Sequence, residues 1–113
     1  HLLEMLRGSS LAGEVRFDAL PVIAEALDWA RQGVATGASD RNWSGYGHEV
    51  ALPPEFPEWQ RKLITDPQTS GGLLVSCAAD AVDQVMAIFR RMGFGEASVI
   101  GKLAEGPPRL SVT

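Results

Sequence analysis

Residues 73–103, LLVSCAADAVDQVMAIFRRMGFGEASVIGKL, decide the fold class. Leu73-Leu74-Val75-Ser76-Cys77 is a short apolar run of the length of a buried strand. Val82, Val85, Met86 and Phe89 then stand at i, i+3, i+4 and i+7, the spacing of an amphipathic helix, with Gly93 as its stop. Ala97 to Leu103 reads as the next strand. About nineteen residues separate the two runs, enough for a right-handed parallel crossover through that helix.

Outward from this unit, Gly106-Pro107-Pro108 turns the chain, and Arg109 to Thr113 alternates as a final strand, expected to be antiparallel. Upstream, a short helix is expected over Glu58 to Ile64, after Pro53, Pro54 and Pro57 and before a turn at Asp66-Pro67. Gly33 to Gly47 holds four glycines and two serines without periodicity, and is expected as a long loop of a functional or mobile kind. Leu20, Ile23, Ala24, Leu27 and Ala30 recur at helical spacing, with Asp18 as cap, Pro21 in the first turn, Gly33 as stop and Trp29 as a core anchor. Gly13 to Phe17 alternates as a half-buried strand. Leu2, Leu3, Met5 and Leu6 form the tail of a helix stopped at Gly8. The whole is an α+β domain over residues 1–113, with helices on a mixed sheet that contains a βαβ unit.

The chain has 113 residues, 45% hydrophobic and 21% charged, which is enough to bury a core without staples and too apolar for disorder. One cysteine excludes an internal disulfide framework and fits a reducing cytoplasm. Fourteen acidic residues against ten basic ones leave a net charge of −4, the wrong sign for a nucleic-acid surface. The short basic pairs Arg61-Lys62 and Arg90-Arg91 read as solvated helix positions. No run approaches the roughly 20 apolar residues of a membrane helix, and no signal peptide is visible. Opening on His1 inside a helix, without a cap, is what a piece cut from a longer protein would do.

Asp66-Pro67-Gln68-Thr69-Ser70-Gly71-Gly72 is the best candidate for chemistry. Thr69 and Ser70 offer hydroxyls, while Gly71 and Gly72 let a backbone and an anionic group approach closely. It is not a phosphate loop of the Gly-x-x-x-x-Gly-Lys-Ser/Thr kind, and glycines that only permit tight packing are the competing reading. Cys77 has no adjacent Lys, Arg or His to lower its thiol pKa and is expected to be a buried structural thiol. His1 and His48 have no ligand-spaced partners for zinc, and His48 is expected to face solvent. Asp40 and Asp66 could each meet a magnesium ion, but Asp66 before Pro67 is expected to form a turn. No residue of the chain is assigned a catalytic or metal-binding role.

Asp66 to Leu74, DPQTSGGLL, resembles the signature of the C-terminal domain of the selenophosphate synthetase family. His1 to Met5 resembles the helix after that family's Asp-x-Thr-Gly-Phe-Gly segment, Gly33 to Asn42 its glycine-rich loop ending in Arg-Asn, and Val99 to Leu103 its closing strand, with Lys102 in place of Arg. The wider aminoimidazole ribonucleotide synthetase superfamily shares these last motifs loosely. The resemblance implies the AIR synthetase C-terminal fold, partly ferredoxin-like. It also implies a share in an enzyme that converts ATP, selenide and water to selenophosphate, AMP and phosphate.

By that resemblance, the metal-binding aspartates, a Lys and a Cys or selenocysteine lie in an N-terminal ATP-binding domain. ATP and Mg²⁺ would serve the full-length homodimer, and this chain alone would bind neither and be inactive. Asn42 joins Thr69, Ser70, Gly71 and Gly72 as a candidate for contact with the substrate or phosphate cleft. Another enzyme of the superfamily, such as a thiamine-monophosphate kinase, and a non-catalytic ligand-binding module are the rival readings.

Overall fold

The computed structural model describes all 113 residues. Helix α1 (Leu2–Ser9) places Leu3 and Leu6 on its buried face, and Leu6 has no solvent exposure. The helix runs through Gly8, and its left-handed stop is Ser10, at φ 55°. The chain then enters β1 (Leu11–Val15). Leu6 lies directly above Gly13, where an added Cβ would come 3.1 Å from its Cδ1. This glycine lets the helix settle onto the strand.

The next helix, α2 (Ala24–Arg31), begins later than Asp18 and Pro21 predict: Ile23 is its cap, and Asp18 sits in a separate 3-10 turn, Phe17–Ala19. Gly33 follows at φ +86°, as a helix stop should. Trp29 is 58% exposed and so is not a core anchor. Ala30 is the one buried side chain of that helix.

The largest departure upstream is α3 (Gly37–Tyr46), a helix where composition predicts a loop. Its own residues are poor helix formers, so tertiary bonds hold it. Ser39 is fully buried, Asn42 Nδ2 donates to the Thr65 carbonyl at 2.8 Å, and Asp40 accepts from Arg61 at 3.0 Å. Gly47 ends the helix beneath the Trp43 ring, where a Cβ would come 2.7 Å from an indole carbon. Strand β2 (Val50–Ala51) and helix α4 (Glu58–Ile64) follow, the latter with the expected bounds. Phe17 packs edge-on against Phe56 at 5.7 Å and Trp59 at 5.9 Å, tying the 3-10 turn to α4.

After α5 (Val82–Arg91) come β3 (Gly101–Glu105) and β4 (Leu110–Val112). The sheet order is β2-β4-β1-β3. Strands β1 and β3 are antiparallel, Leu11 opposite Glu105 and Val15 opposite Gly101. Strand β4 runs parallel to both β1 and β2, contrary to the antiparallel expectation. The mixed sheet and α+β class therefore stand, with the parallel pairing centred on β4. Leu73 to Cys77 forms no strand and is exposed throughout, so the crossover expected from it to residues 97–103 is not formed. The apolar core is small: Leu3, Leu6, Val15, Ala30 and Val112. No helix is long and apolar enough to cross a membrane.

Candidate functional site

Helix α4 ends at Ile64 with Thr65 as its cap, and the Asp66 amide returns to the Leu63 carbonyl at 3.3 Å. The Asp66 carboxylate then works in two directions. Its Oδ1 accepts from the Thr36 hydroxyl at 3.0 Å, and its Oδ2 accepts from Gln68 Nε2 at 2.8 Å. Thr36 stands at the start of α3, so Asp66 joins the mouth of that helix to the root of the 66–72 loop. The Asn42 bond to Thr65 makes a second tie one residue upstream. Asn42 and the loop, far apart in sequence, are thus brought to one place.

Thr69, Ser70, Gly71 and Gly72 project from this anchored base and are all exposed. Neither hydroxyl has a partner within the chain. Neither glycine has a positive φ. A Cβ on Gly71 would meet the Gln68 Cβ at 3.0 Å, whereas one on Gly72 would meet nothing within 4 Å. The loop tip is therefore open, with free donors beside unencumbered backbone, and tight packing accounts for Gly71 only.

A cavity of about 560 Å³ adjoins the base of the loop, between α2 and α4. Trp29, Trp59, Arg31, Lys62 and Asp66 are among its lining residues. The Arg31 guanidinium lies 5.4 Å from the centre of the Trp59 ring. Sequence reasoning missed this wall, because helical spacing within α2 does not record that α2 and α4 lie side by side. It also misread Arg61-Lys62 as solvated. Arg61 is 17% exposed, bonded to Asp40 and laid over the Trp43 ring at 5.4 Å, while Lys62 bridges Glu58 at 3.1 Å and Asp40 at 3.8 Å.

The two carboxylates considered for magnesium are already engaged, Asp40 by Arg61 and Lys62 and Asp66 by Thr36 and Gln68. No three His, Cys, Asp or Glu side chains converge as metal ligands. The donor set of this chain does not fit a magnesium ion. His48 is solvent-facing, its side chain 68% exposed. Cys77 is exposed rather than buried, because the strand expected to enclose it is not formed.

One polar cluster lies elsewhere. Arg7 donates to both carboxylate oxygens of Glu49, through Nε at 3.2 Å and through Nη2, and its guanidinium lies 5.1 Å from the Tyr46 ring centre. The hydrogen bond from Arg7 holds the Glu49 carboxyl below the usual glutamate range, and Glu49 raises the Arg7 pKa in return.

Comparison with known proteins adds to this geometry. A family model described as AIR synthase related protein, C-terminal domain, matches residues 1–112. The chain is similar to the selenide, water dikinase of Paraburkholderia xenovorans (strain LB400), at 53% identity over 112 residues, covering 99% of this chain and 32% of that protein. It is similar to the selenide, water dikinase of Burkholderia pseudomallei (strain K96243) at 50% over 113 residues, 100% of this chain and 32% of the relative. To that of Rhizobium meliloti (strain 1021) the identity is 45% over 112 residues, 99% of this chain and 32% of the relative. The chain spans about a third of the length of these curated relatives.

Proposed function

The chain belongs to the AIR synthase related protein C-terminal domain family, and on that premise we propose that it is the C-terminal, cleft-forming domain of a selenide, water dikinase. The observation that carries the reading is 53% identity across 99% of the chain to a relative of that name. The reaction proposed for the whole enzyme consumes ATP, selenide and water and yields selenophosphate, AMP and phosphate. ATP and magnesium would be held by the preceding ATP-binding domain, in a cytoplasmic homodimer. The engaged state of Asp40 and Asp66 supports placing the metal outside this chain.

Within that reading the 69–72 loop is the chain's contribution to the cleft. Phosphoryl transfer depends on positioned donors around anionic oxygens. Thr69 and Ser70 carry uncommitted hydroxyls, and the clamps at Asp66 and Asn42 fix the loop's base. Anchoring of this kind lets an exposed loop present donors at low entropic cost on binding.

The test is a chimera in which residues 1–112 replace the matching third of the Paraburkholderia relative. It should form AMP from ATP in a selenide-dependent manner, while the 113-residue chain alone should form none. Gly72→Val in the chimera adds bulk where the chain itself has open space, so the melting temperature should hold while turnover falls at least about tenfold. A folded chimera without turnover would overturn the assignment, as would turnover by the chain alone. Unchanged turnover in Gly72→Val would remove the loop from the cleft.

A further inference from the structure

Gln68 precedes the turn formed by Thr69 and Ser70, and its side chain touches the structure on both sides. Its Nε2 donates to Asp66 Oδ2 at 2.8 Å. Its Cβ fills the space beside Gly71, where an added Cβ would come to 3.0 Å. Behind Asp66 the contacts continue inward. Asp66 Oδ1 accepts from the Thr36 hydroxyl at 3.0 Å, and Thr36 Oγ1 lies 3.4 Å from Ser39 Oγ. Ser39 is fully buried in α3, and its hydroxyl has no other side-chain partner.

Chemistry fixes the direction of these bonds. A carboxylate only accepts, so Thr36 gives its single hydroxyl proton to Asp66, and the contact with Ser39 uses the Ser39 proton. The run therefore goes one way, from buried Ser39 through Thr36 to Asp66, where Gln68 meets it from the loop side. Without that grip the turn would be joined to α4 by backbone alone. The cost of ordering its residues would then fall on whatever the turn binds.

We infer that Gln68 is a positioning residue: held by the run from Ser39 to Asp66, it sets where the Thr69-Ser70 turn stands, and it acts on turnover through that turn without touching substrate. The inference deepens the function proposed above and rests on it only for the effect on turnover.

Gln68→Glu tests it, since the change keeps the size of the side chain but sets an acceptor against the Asp66 carboxylate. Adding Asp66→Asn restores the bond with donor and acceptor exchanged: the introduced amide donates to the introduced carboxylate, and its oxygen still accepts from Thr36. Amide order parameters of residues 69–72, measured in the 113-residue chain, should fall from about 0.8 to below about 0.6 in Gln68→Glu and return in the double variant. In the chimera with the Paraburkholderia relative, Gln68→Glu should lower kcat at least about tenfold while KM stays within about threefold, and the double variant should recover most of the loss. Melting temperatures should agree within about 2 °C, because Gln68 is exposed.

Order that is unchanged in Gln68→Glu overturns the inference, as does a double variant no more ordered than the single one. Turnover lost while order is kept also overturns it, because Gln68 would then act on substrate directly. A fall in melting temperature of more than about 4 °C in Gln68→Glu would make the bond a support of the fold and overturns it too. If the parent chimera forms no AMP, order lost and regained in the chain still supports the grip, and the failure belongs to the proposed reaction. Turnover untouched by the loss of order keeps the reaction and overturns the positioning role.

Discussion

The Arg7–Glu49 pair shows how one residue's titration reaches stability. Because Arg7 lowers the Glu49 pKa in the folded chain, the folded state binds that proton less readily than the unfolded state does. The pair's contribution is therefore present above the ordinary glutamate value of about 4.3 and is lost as pH falls through the lower folded value. The melting-temperature gap between the parent and Glu49→Gln should accordingly be widest near neutral pH and close in acid. A gap constant from pH 3 to 7 would mean that the ion pair carries none of it. Cys77 offers the opposite case, an exposed side chain with no partner. Cys77→Ala should change stability by less than about 0.5 kcal/mol, and a thiol reagent should label the native chain without unfolding it. Slow labelling limited by unfolding would return the residue to the core.

Among the elements, the β1–β3 pair is the least forgiving. A Cβ on Gly101 would lie 1.9 Å from the Glu14 carbonyl oxygen, a backbone atom that cannot rotate away. Gly101→Ala should cost about 3 kcal/mol or more, read from the urea midpoint, and an unchanged midpoint would contradict the strand register. What the sequence made legible follows from where each element draws its stability. Helix α4 was readable to the residue because Pro57 marks its start locally. Helix α3 was not, since Ser39, Asp40 and Asn42 are held by partners more than twenty residues away or by burial, neither of which composition records. The apolar run at 73–77 has the composition of a buried strand, yet it forms none and is exposed, because composition records apolarity and not whether a pairing partner is in reach. At the candidate site, glycines and hydroxyls marked the 69–72 tip. The Thr36–Asp66 bond that anchors it left no sequence signal, because a threonine before a glycine-rich stretch is commonplace.

For the molecule as a whole, the thin core sets the margin. Five apolar side chains are buried and Leu6 alone among them is wholly excluded from water. Leu6→Ala should cost about 3 kcal/mol, a large part of the roughly 5–15 kcal/mol that holds a typical domain together. Loss of a cooperative thermal transition by circular dichroism would be the sign, and a transition within a degree of the parent's would show that the weight of the fold lies elsewhere. The sheet order has a consequence in time. Strands β1 and β2 meet only through β4, which lies between them. On a ribosome adding about 5–20 residues per second, the first strand emerges on the order of 5–20 s before the strand that links it to the second. During that interval the facing edges of β1 and β2 stand open, so whatever shields nascent strand edges bears on the yield of folded protein.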